Sequence, residues 1–338
     1  MSRQTWTDVA VVTVLALAVR AGAVWLTGFD GMYGQDAFAY LRQIRFLAEH
    51  GPAAWLQPNA FAWPHAYPFI WPSGYPLAAV LPAWVSGSDI WAGQFTSLLF
   101  GSLTPAVLYL VAARMGNRPA GWIAGGVGVV AAFPVQASTV VMADAGGLFW
   151  ASLALWSVVE ARERSRPETW VVLAALAAGA AAITRWAFGL TWPALALFGA
   201  YVLVKRRRSL AWLLVGVVPA LGLVGIEWWV DSALTSDSLA LWHPVHAAQR
   251  TFEINSGTFA YTHPMSVYWI LALAHPAYLV PPMTVLAGLG AWRLWHTDQP
   301  VALLLLGWVV CVYGFLAGMP FQNLRFGLTY FSPAVVLA

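Results

Sequence analysis

Long apolar runs separated by short polar stretches set the organisation of this chain. About 20 apolar residues cross a ~30 Å hydrocarbon layer. By that measure the runs near 8–27, 90–113, 119–136, 146–161, 168–184, 188–204, 209–230, 278–295, 301–318 and 326–338 are expected transmembrane helices. Residues 76–86 are apolar too, but they are few and carry Pro82, so they are not counted as a crossing. The last run supplies only 13 residues after Arg325, which reads as a truncated C-terminal helix.

Between the first two runs the pattern changes. Ala37, Tyr40, Leu41, Ile44, Leu47 and Ala48 recur on one helical face, with Arg42, Arg45 and Glu49 opposite. That predicts a short helix lying in the membrane interface, with Asp36 placed to cap its start. Residues 52–76 then carry six prolines among Trp and Tyr, which forbids a long helix and suits headgroup depth. The expected architecture is all-α: a polytopic membrane protein with about ten transmembrane helices and a single domain over 1–338. External loop 28–89 bears the short interfacial helices, and a second external loop spans 231–277.

Composition agrees. The chain is 60% hydrophobic and 9% charged, whereas soluble domains run at about 45–50% apolar and about 25% charged. The lone cysteine, Cys311, excludes an intramolecular disulfide. No small-residue cleavage site follows the first apolar run, so that run is expected to remain as an anchor.

Charge distribution sets the expected orientation. With the N-terminus inside, Arg3, Arg114, Arg118, Arg162, Arg164, Arg166, Lys205, Arg206, Arg207, Arg208 and Arg293 face the cytoplasm. Arg42, Arg45, Arg185, Arg250 and Arg325 face outward, and Arg20 lies within the first run. This bias favours a multi-pass plasma-membrane protein with a cytoplasmic N-terminus. The basic balance then belongs to span ends and points to membrane lipids, not to nucleic acid.

The same topology gathers polar chemistry on the outer face. Asp30, Asp36, His50 and His65 lie in the first loop, and Asp144 and Arg185 in two short ones. The second long loop holds Asp231, Asp237, His243, His246, Arg250, Glu253 and His263, and Arg325 lies in the last. Plainer readings exist for each: Asp36 and Asp144 as helix caps, Arg185 and Arg325 as snorkelling cations. His243 and His246, with Glu253 and His263, lack a firm metal-ligand pattern and read as interfacial polar residues. Arg20 and Glu227 are intramembrane charges, which are expensive to retain; they either pair or support the site.

Asp36-Ala-Phe-Ala-Tyr40, followed by a helix ending at Glu49-His50-Gly51, resembles the first external loop of GT-C class membrane glycosyltransferases. That superfamily includes protein O-mannosyltransferases, aminoarabinose transferases and oligosaccharyltransferases. The resemblance continues through 71–84, 113–125 and 140–156, then Arg185-Trp186-Ala-Phe-Gly189 and Asn323-Leu-Arg325-Phe326. It implies transfer of a sugar from a polyprenyl-phosphate-linked donor to an acceptor hydroxyl in the cell envelope, with inversion.

In that reading Asp36 is the catalytic base. Arg325 first, then Arg185, with Tyr40, binds the donor phosphate. Asp30, Asp144, His65 and Tyr75 support the site or bind the acceptor, whose identity stays open. A divalent metal, Mg or Mn, bridging Asp36 and Asp144 is a further expectation of the resemblance. Ala37 stands where the superfamily usually carries Glu, which keeps an inactive scaffold open as an alternative. A transporter or flippase of a lipid-linked or small polar substrate is the other. Transporters commonly show repeats; this chain shows none, and its charges gather on one face.

Overall fold

The computed structural model describes residues 2–56, 71–235, 275, 277–279, 281–318 and 324–338. Among these residues the structure is helical, with no strand. Helix α1 spans Arg3–Thr27, α2 Gly34–His50, α3 Gly74–Ser86, α4 Asp89–Met115, α5 Arg118–Val130 and α6 Ala132–Thr139. They are followed by α7 (Asp144–Ala161), α8 (Pro167–Thr184), α9 (Trp192–Lys205) and α10 (Ala211–Thr235). Then come α11 (Pro281–Thr297), α12 (Gln299–Leu316) and α13 (Phe331–Leu337), and 3-10 turns cover Pro52–Leu56, Trp186–Thr191 and Leu324–Tyr330.

Every expected span has a helical counterpart, but the count of ten crossings is not confirmed among the described residues. Among the described residues five helical stretches are long and apolar enough to span alone: α1, α4, α8, Trp186–Lys205 and α12. The bent pair α5–α6 makes a sixth. At residues 326–338 a 3-10 turn leads into seven-residue α13, whose Phe331, Ala334 and Val335 are buried in the core. The rejected segment forms α3, about 20 Å long, which packs on α2 and α4.

The expected 119–136 helix breaks at Ala131, with a 53° bend. Pro134 explains it, since it has no N–H for the Val130 carbonyl and its ring crowds that turn. The Phe133 N–H turns instead to Ala277 O at 2.8 Å. Arg20 fills the gap: Nη2 donates to Gly128 O at 3.0 Å, Nη1 to Val129 O at 3.3 Å and Nε to Ser138 Oγ at 3.0 Å. Arg20 therefore does not pair with Glu227. The Glu227 carboxylate accepts from Ser73 N at 2.7 Å and from the Ser73 hydroxyl, tying α10 to the start of α3.

Apolar packing of α4, α5, α7, α8, α9, α12 and α13 forms the main core. A second cluster, including Ala37, Tyr40, Ile44, Tyr75, Ala92, Val141 and Ala143, joins α2 to α3, α4 and the 140–143 turn. One end of the bundle is closed by ion pairs: Asp8–Arg118 at 2.7 Å, Glu160–Arg164 at 2.6 Å, Glu160–Arg114 at 3.3 Å and Arg162–Asp298. The opposite helix ends carry the candidate site. This fold belongs to a multi-pass membrane protein.

Candidate active site

Three connections bring distant loops together. Gly31 O accepts from Val141 N at 2.8 Å. Gly31 has φ +87°, and a Cβ there would meet Val141 and Gln94 at 3.1–3.3 Å, so this turn requires glycine. Gln94 Nε2 donates to Phe29 O at 2.9 Å and to Thr139 O at 3.0 Å. The first loop is thereby fastened to the turn that precedes α7. Asp36 and Asp144 stand in the first turns of α2 and α7, at that junction.

Neither carboxylate is the expected cap. Tyr33 and Ala143 occupy the N-cap positions, without side-chain cap bonds. Asp36 instead forms an ion pair and hydrogen bond with Arg325 Nη2. Asp144, almost wholly buried, lies 2.5 Å from Arg185 Nη1; this is an ion contact, not an aligned hydrogen bond. Arg325 Nη1 also reaches Met142 Sδ at 3.2 Å. Burial opposes the charge on Arg325, but the nearby Asp144 and Asp36 carboxylates outweigh it and hold its pKa above the ordinary guanidinium value.

Tyr40 is buried beneath these four groups and packs edge-on against Tyr75, with ring centroids 5.1 Å apart. Burial pushes the Tyr40 hydroxyl pKa upward; Asp144 and Asp36 add to this, while Arg185 and Arg325 oppose it. Tyr75 is a wall of the site. Its hydroxyl donates to Gly93 O at 2.7 Å and lies 2.9 Å from Ser97 Oγ. Arg185 is seated by Gly147, where a Cβ would meet the Phe188 ring at 2.5 Å and Arg185 Cβ at 3.2 Å.

Asp30 stands apart and exposed, with Oδ1 accepting from Met32 N at 3.0 Å. His65 lies outside the described residues, as do His243, His246, Arg250, Glu253 and His263. Ala37 is buried in the apolar cluster with Tyr75 and Val141.

Asp36 and Asp144 do not fit the expected metal bridge in this structure, because each already meets a guanidinium. Among the described residues no three His, Cys, Asp or Glu side chains group as a metal site. Sequence reasoning missed Met142 and the Gln94 staple. A buried amide in an otherwise apolar span was the available signal for Gln94.

A sequence family described as dolichyl-phosphate-mannose-protein mannosyltransferase matches residues 72–229. No curated protein sequence matches the chain. Among solved structures, ArnT from Cupriavidus metallidurans in the apo state superposes with a TM-score of 0.69 at 17% identity, covering 96% of this chain. ArnT bound to undecaprenyl phosphate gives 0.68 at 18% identity over 99% of this chain. The oligosaccharyltransferase AglB from Archaeoglobus fulgidus, in complex with an inhibitory peptide and a dolichol-phosphate, gives 0.61 at 14% identity over 99%. The chain spans 58% of the ArnT chains and 49% of the AglB chain. The fold is the one found in these ArnT and AglB structures.

Proposed function

We propose that this protein is a membrane glycosyltransferase that takes a sugar from a polyprenyl-phosphate-linked donor and passes it to an acceptor hydroxyl. One observation carries the reading: Asp36 with Arg325, and Asp144 with Arg185, converge at one end of the bundle. A carboxylate can accept the acceptor's proton, and a guanidinium can neutralise a departing phosphate. The relatives bound to undecaprenyl phosphate and dolichol-phosphate support a lipid phosphate as the leaving group.

The acceptor oxygen attacks the anomeric carbon as the bond from that carbon to the phosphate oxygen breaks. The acceptor proton passes to Asp36, and the bonding pair leaves with the lipid phosphate, held by Arg325. Attack opposite the leaving group inverts the anomeric centre. Arg185, paired with Asp144, adds positive charge beside it. The paired carboxylates do not favour a shared Mg or Mn ion, and no step is routed through one.

The positive-inside bias puts this end on the outer face of the plasma membrane. Labelling of Arg207→Cys in a Cys311→Ser background from outside intact cells would reverse that orientation. For the chemistry, purified protein is incubated with a panel of polyprenyl-phosphate sugars and the released lipid phosphate is measured. Release that depends on Asp36 is expected. No release from any donor, together with no binding of undecaprenyl phosphate, overturns the reading.

A further inference from the structure

Two cations in one site need something that fixes their separation while their counterions change. Phe326 lies within reach of both. The Arg185 guanidinium carbon is 5.3 Å from the Phe326 ring centroid, and that of Arg325 is 5.7 Å away. Both fall inside the ~6 Å range over which a ring face attracts a cation. Phe326 belongs to the same 3-10 turn as Arg325. Arg185 comes from a different turn, 141 positions earlier in the chain, so the ring joins two separate elements.

A ring face holds a guanidinium without using its N–H groups, which lie in the guanidinium plane. Carboxylate contacts consume those donors; the ring contact does not. Arg325 can therefore exchange Asp36 for a phosphate while remaining stacked, and Arg185 stays at its original spacing.

We propose that Phe326 is a positioning residue that holds Arg185 and Arg325 at the spacing needed to grip one lipid-linked phosphate. This rests on the glycosyltransferase reading above. The apolar bulk of Phe326 alone would not do this, because leucine fills similar space without a negative ring face.

The test uses undecaprenyl phosphate as the probe, on purified full chain, with wild type, Phe326→Leu and Phe326→Tyr. Tyrosine keeps the ring. With two ring–cation contacts removed, Phe326→Leu should bind about 5- to 30-fold more weakly, raising the donor KM with kcat within about threefold. Phe326→Tyr should match wild type. The Leu loss should shrink in an Arg325→Gln background, since the ring acts through the cation.

Wild-type affinity in Phe326→Leu, or an equal loss in Phe326→Tyr, overturns the role. A Leu loss undiminished in Arg325→Gln does so as well. Failure of wild type to bind the lipid overturns the glycosyltransferase reading itself, and this inference with it; the first three outcomes leave that reading intact.

Discussion

Asp36 and Arg325, 289 positions apart in the chain, are ion-paired where the first turn of α2 meets the 3-10 turn Leu324–Tyr330. The base and the phosphate ligand of the proposed reaction thus occupy each other. A phosphate oxygen accepts from the same N–H donors as a carboxylate oxygen, so donor binding and release of Asp36 become one event.

Asp36→Asn should therefore separate two properties. Asparagine keeps the size but cannot take a proton, and turnover should fall by about 10²-fold or more. Without a competing negative charge, undecaprenyl phosphate should bind more tightly than to wild type. Turnover near the wild-type rate would return Asp36 to a purely structural pair.

Arg325 should tolerate neither charge loss nor loss of its planar fork. Arg325→Lys keeps the charge and should be clearly impaired in donor handling; Arg325→Gln should be worse. A hydrogen bond to a charged group contributes about 1.5–3 kcal/mol, so the Gln variant should lose roughly 10- to 150-fold in donor affinity or turnover. Donor titrations with Arg325→Lys indistinguishable from wild type would shift the role to Arg185.

Much of this site was legible as a set and not as pairs. Asp36, Asp144, Arg185 and Arg325 stand out because charge is scarce and topology puts them at one end. Which carboxylate meets which guanidinium depends on how α2, α7 and the two 3-10 turns pack, and no local spacing encodes that. The cap reading failed because α2 begins at Gly34, which leaves Asp36 inside the first turn and free to turn toward Arg325. The bend after Val130 was hidden within an apolar run; Pro134 was visible, but its partner Arg20 binds backbone carbonyls, which carry no sequence mark.

Gly147→Ala tests how Arg185 is seated. The added methyl would press on the Phe188 ring and Arg185 Cβ, and overpacking of this kind costs about 1–3 kcal/mol. Stability should fall by that amount, and donor affinity should fall with it because Arg185 is displaced. Gly126→Ala, where a Cβ meets nothing within 4 Å, should do neither.

Tyr40 has a raised pKa chiefly because it is buried. Its folded-state stabilisation is therefore fully present below the unfolded tyrosine pKa of about 10. It is lost as pH rises above that value, since the unfolded chain then releases a proton that the folded chain keeps. Tyr40→Phe should flatten the decline in melting temperature above about pH 10. An unchanged alkaline slope would contradict the assignment.

The last prediction concerns the bend itself. Arg20, buried inside the bundle, donates to Gly128 O, Val129 O and Ser138 Oγ at the α5–α6 break. Arg20→Met keeps the apolar stem and removes every donor. Each buried acceptor left unsatisfied costs about 1–3 kcal/mol, so the variant should be destabilised by at least about 2 kcal/mol. Pro134→Ala restores an N–H at the break and relieves crowding of the Val130 carbonyl, which allows α5 and α6 to satisfy more of their own carbonyls. Arg20 then has less to do. The double variant should therefore lose less stability than the two single changes added together. Strict additivity in detergent unfolding would mean that Arg20 stabilises the bundle independently of the bend.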